Sequence, residues 1–466
     1  MLTVLPLAGS YRDPAGHIYD VDGRILRTIT KRHAEEYEFL RDKGFYRFLS
    51  SGGMIVPFKE IEDIPEALKS EDIRYVVEHP RLSFISHPYE WPFAALKSAA
   101  LFHLDLHLLA LEHGATLSDA SAYNVQFSRG KAFFIDLLSF RRYREGEFWT
   151  GHRQFCEQFL NPLLLRAYRG VSHNAWYRGA LEGISTQDLT QLLPLRSYAS
   201  WNTLSHIFLP NYFQSKSRNI SSADMSRKAK ERTLPLASLR ALLMQLRGWI
   251  ASLKPLGAQD TVWENYAIAN TYAEDERQLK LAFVKEFATA VQPGLLLDFG
   301  CNTGDYAVSA LEGGACEVLG FDYDQGALDQ AFLRAKEQGI AFTPLFLDAA
   351  NPSPNQGWRQ RERQGLEGRA KADALIALAF EHHLAIARNI PLPQVVEWLV
   401  GFAPNGIIEF VHKNDPTIQQ MLSLREDIFE HYNEEVFVTA LESHARIQKV
   451  CQVSSSGRKL FWYARG

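Results

Sequence analysis

From Leu295 onward five short apolar runs, LLLDFG, CEVLGFDY, AFTPLFLD, ADALIALAF and NGIIEFV, alternate with stretches of helical periodicity. Each run has the length of a strand and is apolar on successive residues, so both faces of the strand must be covered. Strands of that kind, separated by helices, predict a doubly wound α/β fold with a parallel sheet between helix layers. The chain closes differently. RIQKVCQV, a Ser454-Ser455-Ser456-Gly457 turn and KLFWYAR form a β-hairpin signature, which a generic dinucleotide-binding sheet does not require.

In such a sheet a ligand sits at the carboxyl ends of the strands, beside the point where strand order reverses. The first run ends in Asp298-Phe299-Gly300-Cys301-Asn302-Thr303-Gly304. Gly300 and Gly304 let the backbone turn sharply, and Asn302 tolerates left-handed φ better than most residues. The second run ends at Asp322, where an acidic side chain accepts hydrogen bonds from ribose hydroxyls. The third ends at Asp348. One strand-end aspartate alone is more often the cap of the next helix; three at successive strand ends are harder to dismiss as caps. A NAD site would need the spacing G-x-G-x-x-G, which Gly300, Asn302 and Gly304 do not supply.

These residues resemble the class I S-adenosylmethionine-dependent methyltransferases, with the likeness running over roughly residues 266–466. The resemblance implies a Rossmann-like seven-stranded sheet closed by an antiparallel C-terminal hairpin, with S-adenosyl-L-methionine as methyl donor. It implies cofactor contacts from Asp298, Gly300, Asn302, Gly304, Asp322, Asp348 and Phe380. Asn302 stands where the family's middle glycine would be. Methyl transfer needs alignment of donor and acceptor, plus a base where the nucleophile is a hydroxyl. Phe380-Glu381-His382-His383 follows the fourth run, which makes His382 the first candidate base, then His383 and Glu381. Glu409 and Lys413 from IIEFVHKND, and Tyr266 and Tyr272 upstream, are further pocket candidates.

The triplet Asp298-Phe299-Gly300 also spells the metal-binding DFG of protein kinases, yet kinase-like spacing occurs elsewhere. In LSDASAYNVQFSRGKAFFIDLLSF, Asp119-x4-Asn124 has the interval of a kinase catalytic loop, and Asp136 closes the hairpin that follows. The segment resembles protein kinases and aminoglycoside phosphotransferases, which implies an α+β kinase-like N-terminal domain with Mg-ATP as a conceivable ligand. Several parts depart from the pattern. Leu117-Ser118 replaces His-Arg, Leu137-Leu138 replaces Phe-Gly, and Lys59 is a weak match to the phosphate-binding lysine. The expectation is a degenerate kinase-like fold that binds a nucleotide, a carrier or the acceptor. His103 and His107, four apart in LFHLDLHLLALEHG, lack a third ligand at metal spacing, so no metal site is expected there.

At 466 residues the chain exceeds what one core serves. The expected domains are 1–213, kinase-like; 214–256, a basic connection with a helix, suited to contact a partner protein; and 257–466, the methyltransferase domain. A net charge of -4 gives no global attraction for nucleic acid, and the basic groups SRKAKER and WRQRERQGLEGRAK are local. Four cysteines without CxxC spacing suggest reduced thiols. Without a basic leader, and with no run of about 18 apolar residues read as a span, the expected location is cytoplasmic. EHPRLSFISHPYEW, LSDASAYNVQF, FIDLLSF and HRQFCEQFL, joined to DFGCNTGDY and IIEFVHKND, resemble bacterial proteins related to the nodulation protein NoeA. That resemblance implies a methyltransferase of specialised biosynthesis acting on a small molecule or glycan. The competing readings are a non-catalytic binding or scaffold protein and a bifunctional kinase-methyltransferase.

Overall fold

The computed structural model describes residues 4–194, 196–197, 200–208, 233–257, 271–423 and 426–466. Tyr266 and the basic stretch up to residue 232 lie outside the described residues, as does the side chain of Tyr272. Two compact units are present: Met1–Phe127 with Ala132–Gly257 and Asn355–Arg363, and Ser128–Lys131 with Ala258–Pro354 and Gln364–Gly466.

The first unit holds an antiparallel five-stranded sheet of Val4–Pro6 (β1), Ile18–Val21 (β2), Arg24–Thr30 (β3), Lys59–Glu60 (β4) and Ile73–His79 (β5), in the order β1-β2-β3-β5-β4. Asp22 and Gly23 join β2 to β3 with positive φ of 48° and 84°, the turn that a two-residue hairpin with right-handed strand twist needs. Two smaller pairings follow, Ala115–Leu117 (β6) with Phe140–Arg142 (β9), and Val125–Ser128 (β7) with Lys131–Phe134 (β8).

Helix Phe93–Glu112 is, by length and composition, apolar enough to cross a membrane. Its long apolar surface is largely used within the unit, with Phe93, Leu96, Leu104, Leu106 and Leu111 buried. Arg240 and Arg247 of helix Leu236–Ser252 reach Glu112 and Asp105 on it. His103 and His107 are buried in that core: rings of Phe134, Trp149, Phe155 and Phe159 surround His103, and His107 Nε2 lies 2.9 Å from Thr116 Oγ1.

The second unit contains Leu295–Phe299 (β10), Glu317–Asp322 (β11), Phe342–Phe346 (β12), Ala374–Ala377 (β13), Asn405–Phe410 (β14), Arg446–Gln452 (β15) and Lys459–Ala464 (β16). The five apolar runs thus form the strands, and the sheet order is β12-β11-β10-β13-β14-β16-β15. β10 to β14 pair in parallel, and β16 enters antiparallel to β14, with β15 outside it. Every residue of β10 and β13 is buried, as a central parallel strand requires. Alternate residues face opposite layers. Leu296, Val318, Ile376 and Ile407 join a core with Val284, Ala307 and Leu328, whereas Phe299 packs against Trp398 and Phe402 at ring separations of 5.3 and 5.2 Å. Edge strand β15 is mostly exposed and carries Arg446 and Lys449, charges that discourage pairing with another chain.

Candidate functional site

Strand order reverses across the sheet between β10 and β13, because the chain moves outward from β10 to β11 and β12 and then returns to β13 on the other side. The carboxyl ends of β10, β11 and β13 border this switch point, where an open α/β sheet offers a crevice. The residues singled out at the ends of these strands meet here.

The turn after β10 is held by backbone bonds. Gly300 N and Cys301 N donate to Phe321 O at 2.8 and 3.1 Å, and Gly304 N donates to Cys301 O at 2.8 Å. Gly300, Asn302 and Gly304 have φ of 81°, 45° and 86°. Of these only Asn302 carries a side chain, and its Oδ1 accepts from Thr303 N at 2.8 Å. A Cβ on Gly304 would stand 2.4 Å from Phe342 Cε1, and one on Gly300 would stand 3.2 Å from Phe380 Cδ2. Asp305 opens the next helix, with its carboxylate 2.7 Å from both Arg277 and Arg334. Burial alone would raise its pKa, but the two guanidinium groups hold it below the usual carboxylate value.

Asp322 ties the second strand to this turn: its Oδ2 accepts from Asn302 N at 2.8 Å and its Oδ1 from Asp324 N at 2.9 Å. Burial raises its pKa despite those backbone donors. Asp298 is 1% exposed, and its Oδ2 has no hydrogen-bond partner among the described residues. Its pKa is pushed well up by burial, then by the nearby charges of Asp322 and Asp305. A buried acid left short of a donor is what a ligand N–H or O–H would satisfy. Asp348, half-buried, accepts from Ala350 N at 3.2 Å and lies 3.7 Å from Arg388.

β13 contributes a feature that sequence reasoning missed. Ala379 has a φ of 49°, sparsely populated for alanine, and its N–H donates to Glu409 Oε2 at 2.8 Å. Glu409 is fully buried and paired with Lys280 at 2.8 Å and Arg458 at 3.5 Å. Burial raises its pKa, but the two cations outweigh this and lower it. Phe380 then packs against Phe299. Lys413 is directed elsewhere, its Nζ 3.0 Å from Phe429 O and 2.7 Å from Asp427.

Glu381 and His382 form a buried dyad. Glu381 Oε1 accepts from Val411 N at 3.0 Å and lies 2.8 Å from the Tyr432 hydroxyl; Oε2 accepts from His382 N and lies 2.9 Å from His382 Nδ1. A carboxylate holding Nδ1–H leaves Nε2 as the acceptor of the ring. The His383 ring lies tilted 4.3 Å from that of His382. Burial, then His382 and Arg458, lower its pKa to about 3, so it stays neutral.

In the first unit the kinase-spaced residues also converge. Asn124 Nδ2 donates to Asp119 Oδ2 at 3.2 Å and to Ser139 Oγ at 3.4 Å, and Ser139 Oγ donates to Asp136 Oδ2 at 2.6 Å. The cation on Asp136 is Arg27 of β3, whereas Lys59 is exposed. Among the described residues no group of three or more His, Cys, Asp or Glu side chains could hold a metal ion.

The nodulation protein NoeA of Rhizobium meliloti (strain 1021) is 47% identical to this chain over 459 residues, covering 98% of the chain and 96% of that protein. The chain belongs to the NoeA family. No protein-family model matches this NoeA-family chain. Among solved structures, magnesium protoporphyrin IX methyltransferase (ChlM) from Synechocystis PCC 6803, crystallised with bound SAH, is similar at 19% identity and a TM-score of 0.31, covering 42% of the chain and 89% of its own. N-methyltransferase NodS from Bradyrhizobium japonicum WM9 is similar at 13% identity and a TM-score of 0.30, covering 42% and 97%.

Proposed function

We propose that this NoeA-family chain transfers a methyl group from S-adenosyl-L-methionine to a small-molecule or glycan acceptor in specialised bacterial biosynthesis. The observation that carries the reading is the joined pair at the switch point: a tight turn after β10 whose Asn302 N–H is fixed by Asp322 at the end of β11. The donor set suits the cofactor. Asp322 presents carboxylate lone pairs to ribose hydroxyls beyond the two backbone donors it already holds. Asp298 offers a buried oxygen that has no partner among the described residues. Gly304 has no room for a Cβ, so the backbone there runs as close to its neighbours as a tight turn allows. Asp348 and Phe380 complete the set of proposed contacts.

When bound, S-adenosylmethionine supplies an electrophilic methyl on a sulfonium. The protein aligns the acceptor and, for a hydroxyl acceptor, removes its proton. His382 is suited to removing that proton, because Glu381 fixes its Nδ1 side and would stabilise the imidazolium formed at Nε2. Glu381 has four donors within reach, which makes it a positioning residue rather than the base. His383 is held neutral by burial, which makes it a poor base. The first unit, in this reading, is a degenerate kinase-like fold that recognises the acceptor or a nucleotide.

Titration calorimetry of the full chain with S-adenosylmethionine tests the site. Asp322→Ala should weaken binding by about 10- to 100-fold, the worth of one or two hydrogen bonds to a charged acceptor; unchanged affinity would defeat the assignment. Mass spectrometry of a deletion strain, searched for metabolites lighter by one methylene, identifies the acceptor.

A further inference from the structure

The kinase resemblance of Asp119-x4-Asn124 and Asp136 implies a divalent cation held by the aspartate and the asparagine, and the donors in the first unit do not fit one. Both oxygens of Asp136 already accept hydrogen bonds. Oδ1 is ion-paired with Arg27 and accepts from Leu138 N at 3.2 Å, and Oδ2 accepts from Ser139 Oγ at 2.6 Å. Asn124 turns its amide N–H groups to Asp119 and Ser139, which leaves Oδ1 as its one oxygen donor, and Asp119 Oδ1 accepts from Ser121 N at 3.0 Å, so the misfit rests on Asp136. Mg²⁺ demands near-octahedral oxygens at about 2.0–2.1 Å, which an acid already closed on a guanidinium does not offer.

Arg27 is not a surface side chain that drifts onto Asp136. It is 4% exposed, its second guanidinium nitrogen donates to Ile135 O at 3.3 Å, and the strand that carries it is paired on both sides. Asp13 belongs to the same neighbourhood, its carboxyl pushed up by burial and then by the charge of Asp136. Arg27 is thus ion-paired with Asp136 and acts as a nearby charge on Asp13, and a guanidinium cannot deprotonate in a protein.

We infer that Arg27 is the resident cation of this site, taking the charge position a divalent metal would hold, so that the Asp119, Asn124 and Asp136 constellation works without a metal. The inference concerns the first unit and is independent of the methyl-transfer reading.

Mn²⁺ is the probe, because its free six-line paramagnetic resonance signal disappears on binding. With full-length protein in excess over Mn²⁺, the wild type should leave as much signal as Asp136→Asn does, which registers any binding elsewhere on the chain. Arg27→Met should bind Mn²⁺ and abolish most of the remaining signal, and adding Asp136→Asn to it should restore the signal. Wild-type binding that disappears in Asp136→Asn would overturn the inference. So would an Arg27→Met protein with a native near-ultraviolet dichroism spectrum and no gain in binding. Should Arg27→Met fail to fold, the comparison of wild type with Asp136→Asn still decides whether the native site takes a divalent ion.

Discussion

Gly304→Ala tests whether the turn after β10 is closed by packing as well as by conformation. Two costs add. Alanine at a φ of 86° loses about 1–2 kcal/mol in the left-handed region, and its Cβ would meet three ring atoms of Phe342 at 2.4, 3.0 and 3.2 Å. Phe342 is fully buried and registered opposite Val318, so it cannot swing away without disturbing β11 and β12. Overpacking of that kind costs about 1–3 kcal/mol. The total, about 2–5 kcal/mol, corresponds to a roughly 30- to 5,000-fold larger opening constant. Gly339→Ala is the internal control, with a φ of 64° and no heavy atom of the described residues within 4 Å of the added carbon. It bears only the conformational cost, about 1–2 kcal/mol, and the gain from a stiffer unfolded chain is shared by both variants. Hydrogen exchange of the β10 amides followed by mass spectrometry reads the second unit alone. Equal acceleration in the two variants would refute the argument that Phe342 closes the turn.

His382→Gln should lower the methyl-transfer rate to a hydroxyl acceptor by about 10²- to 10⁴-fold while leaving S-adenosylmethionine affinity within a factor of about two, checked by single-turnover kinetics and calorimetry; a tenfold loss of affinity would place His382 against the cofactor instead. Tyr432→Phe removes one donor from buried Glu381 and should destabilise the second unit by about 1–3 kcal/mol, measured by the same exchange experiment. For Asp415, burial raises the pKa but Arg458, at 2.8 and 2.9 Å, with Ser456 and Thr417 N, pulls it well below the ordinary value. A folded pKa below the unfolded one gives stability that is fully present above about pH 4 and lost as the pH falls; Asp415→Asn should therefore flatten the acid limb of the second unit's stability, and an unchanged limb would refute the pairing.

What the sequence disclosed and what it hid follow from how each feature is encoded. The strands β10 to β14 were legible because a strand buried on both faces must be written as an unbroken apolar run, and the turn was legible because positive φ favours Gly and Asn. The link from Asp322 to Asn302 was not legible, since both were read as ligand contacts and not as partners of each other. Ala379 carried no such sign: alanine is commonplace in sequence, and its left-handed conformation depends on Glu409, 30 residues on. The cation over Asp136 lies 109 residues earlier; Lys59 was weighed only as a phosphate-binding lysine, and nothing in the sequence near Asp136 signals Arg27. Helix Phe93–Glu112 was read for its histidines, and the apolar length around them went uncounted.

These hidden contacts decide how rigid the segment after β13 is. Ala379 would relax from its strained φ unless something held its amide, and the holder is a carboxylate that is itself fixed by Lys280 and Arg458. Arg458 is in turn clamped in two-pronged fashion on Asp415. Two residues further on, Glu381 is immobilised through β14's continuation at Val411 and through Tyr432. The stretch from Ala379 to His382 is thus anchored twice to the neighbouring strand by buried, charge-assisted hydrogen bonds, each stronger than a neutral one. Removing one partner of such a buried pair costs about 3–5 kcal/mol, more than the roughly 1–3 kcal/mol stored at a strained residue such as Ala379. The network can therefore hold the strain, and the imidazole of His382 is oriented before any ligand arrives.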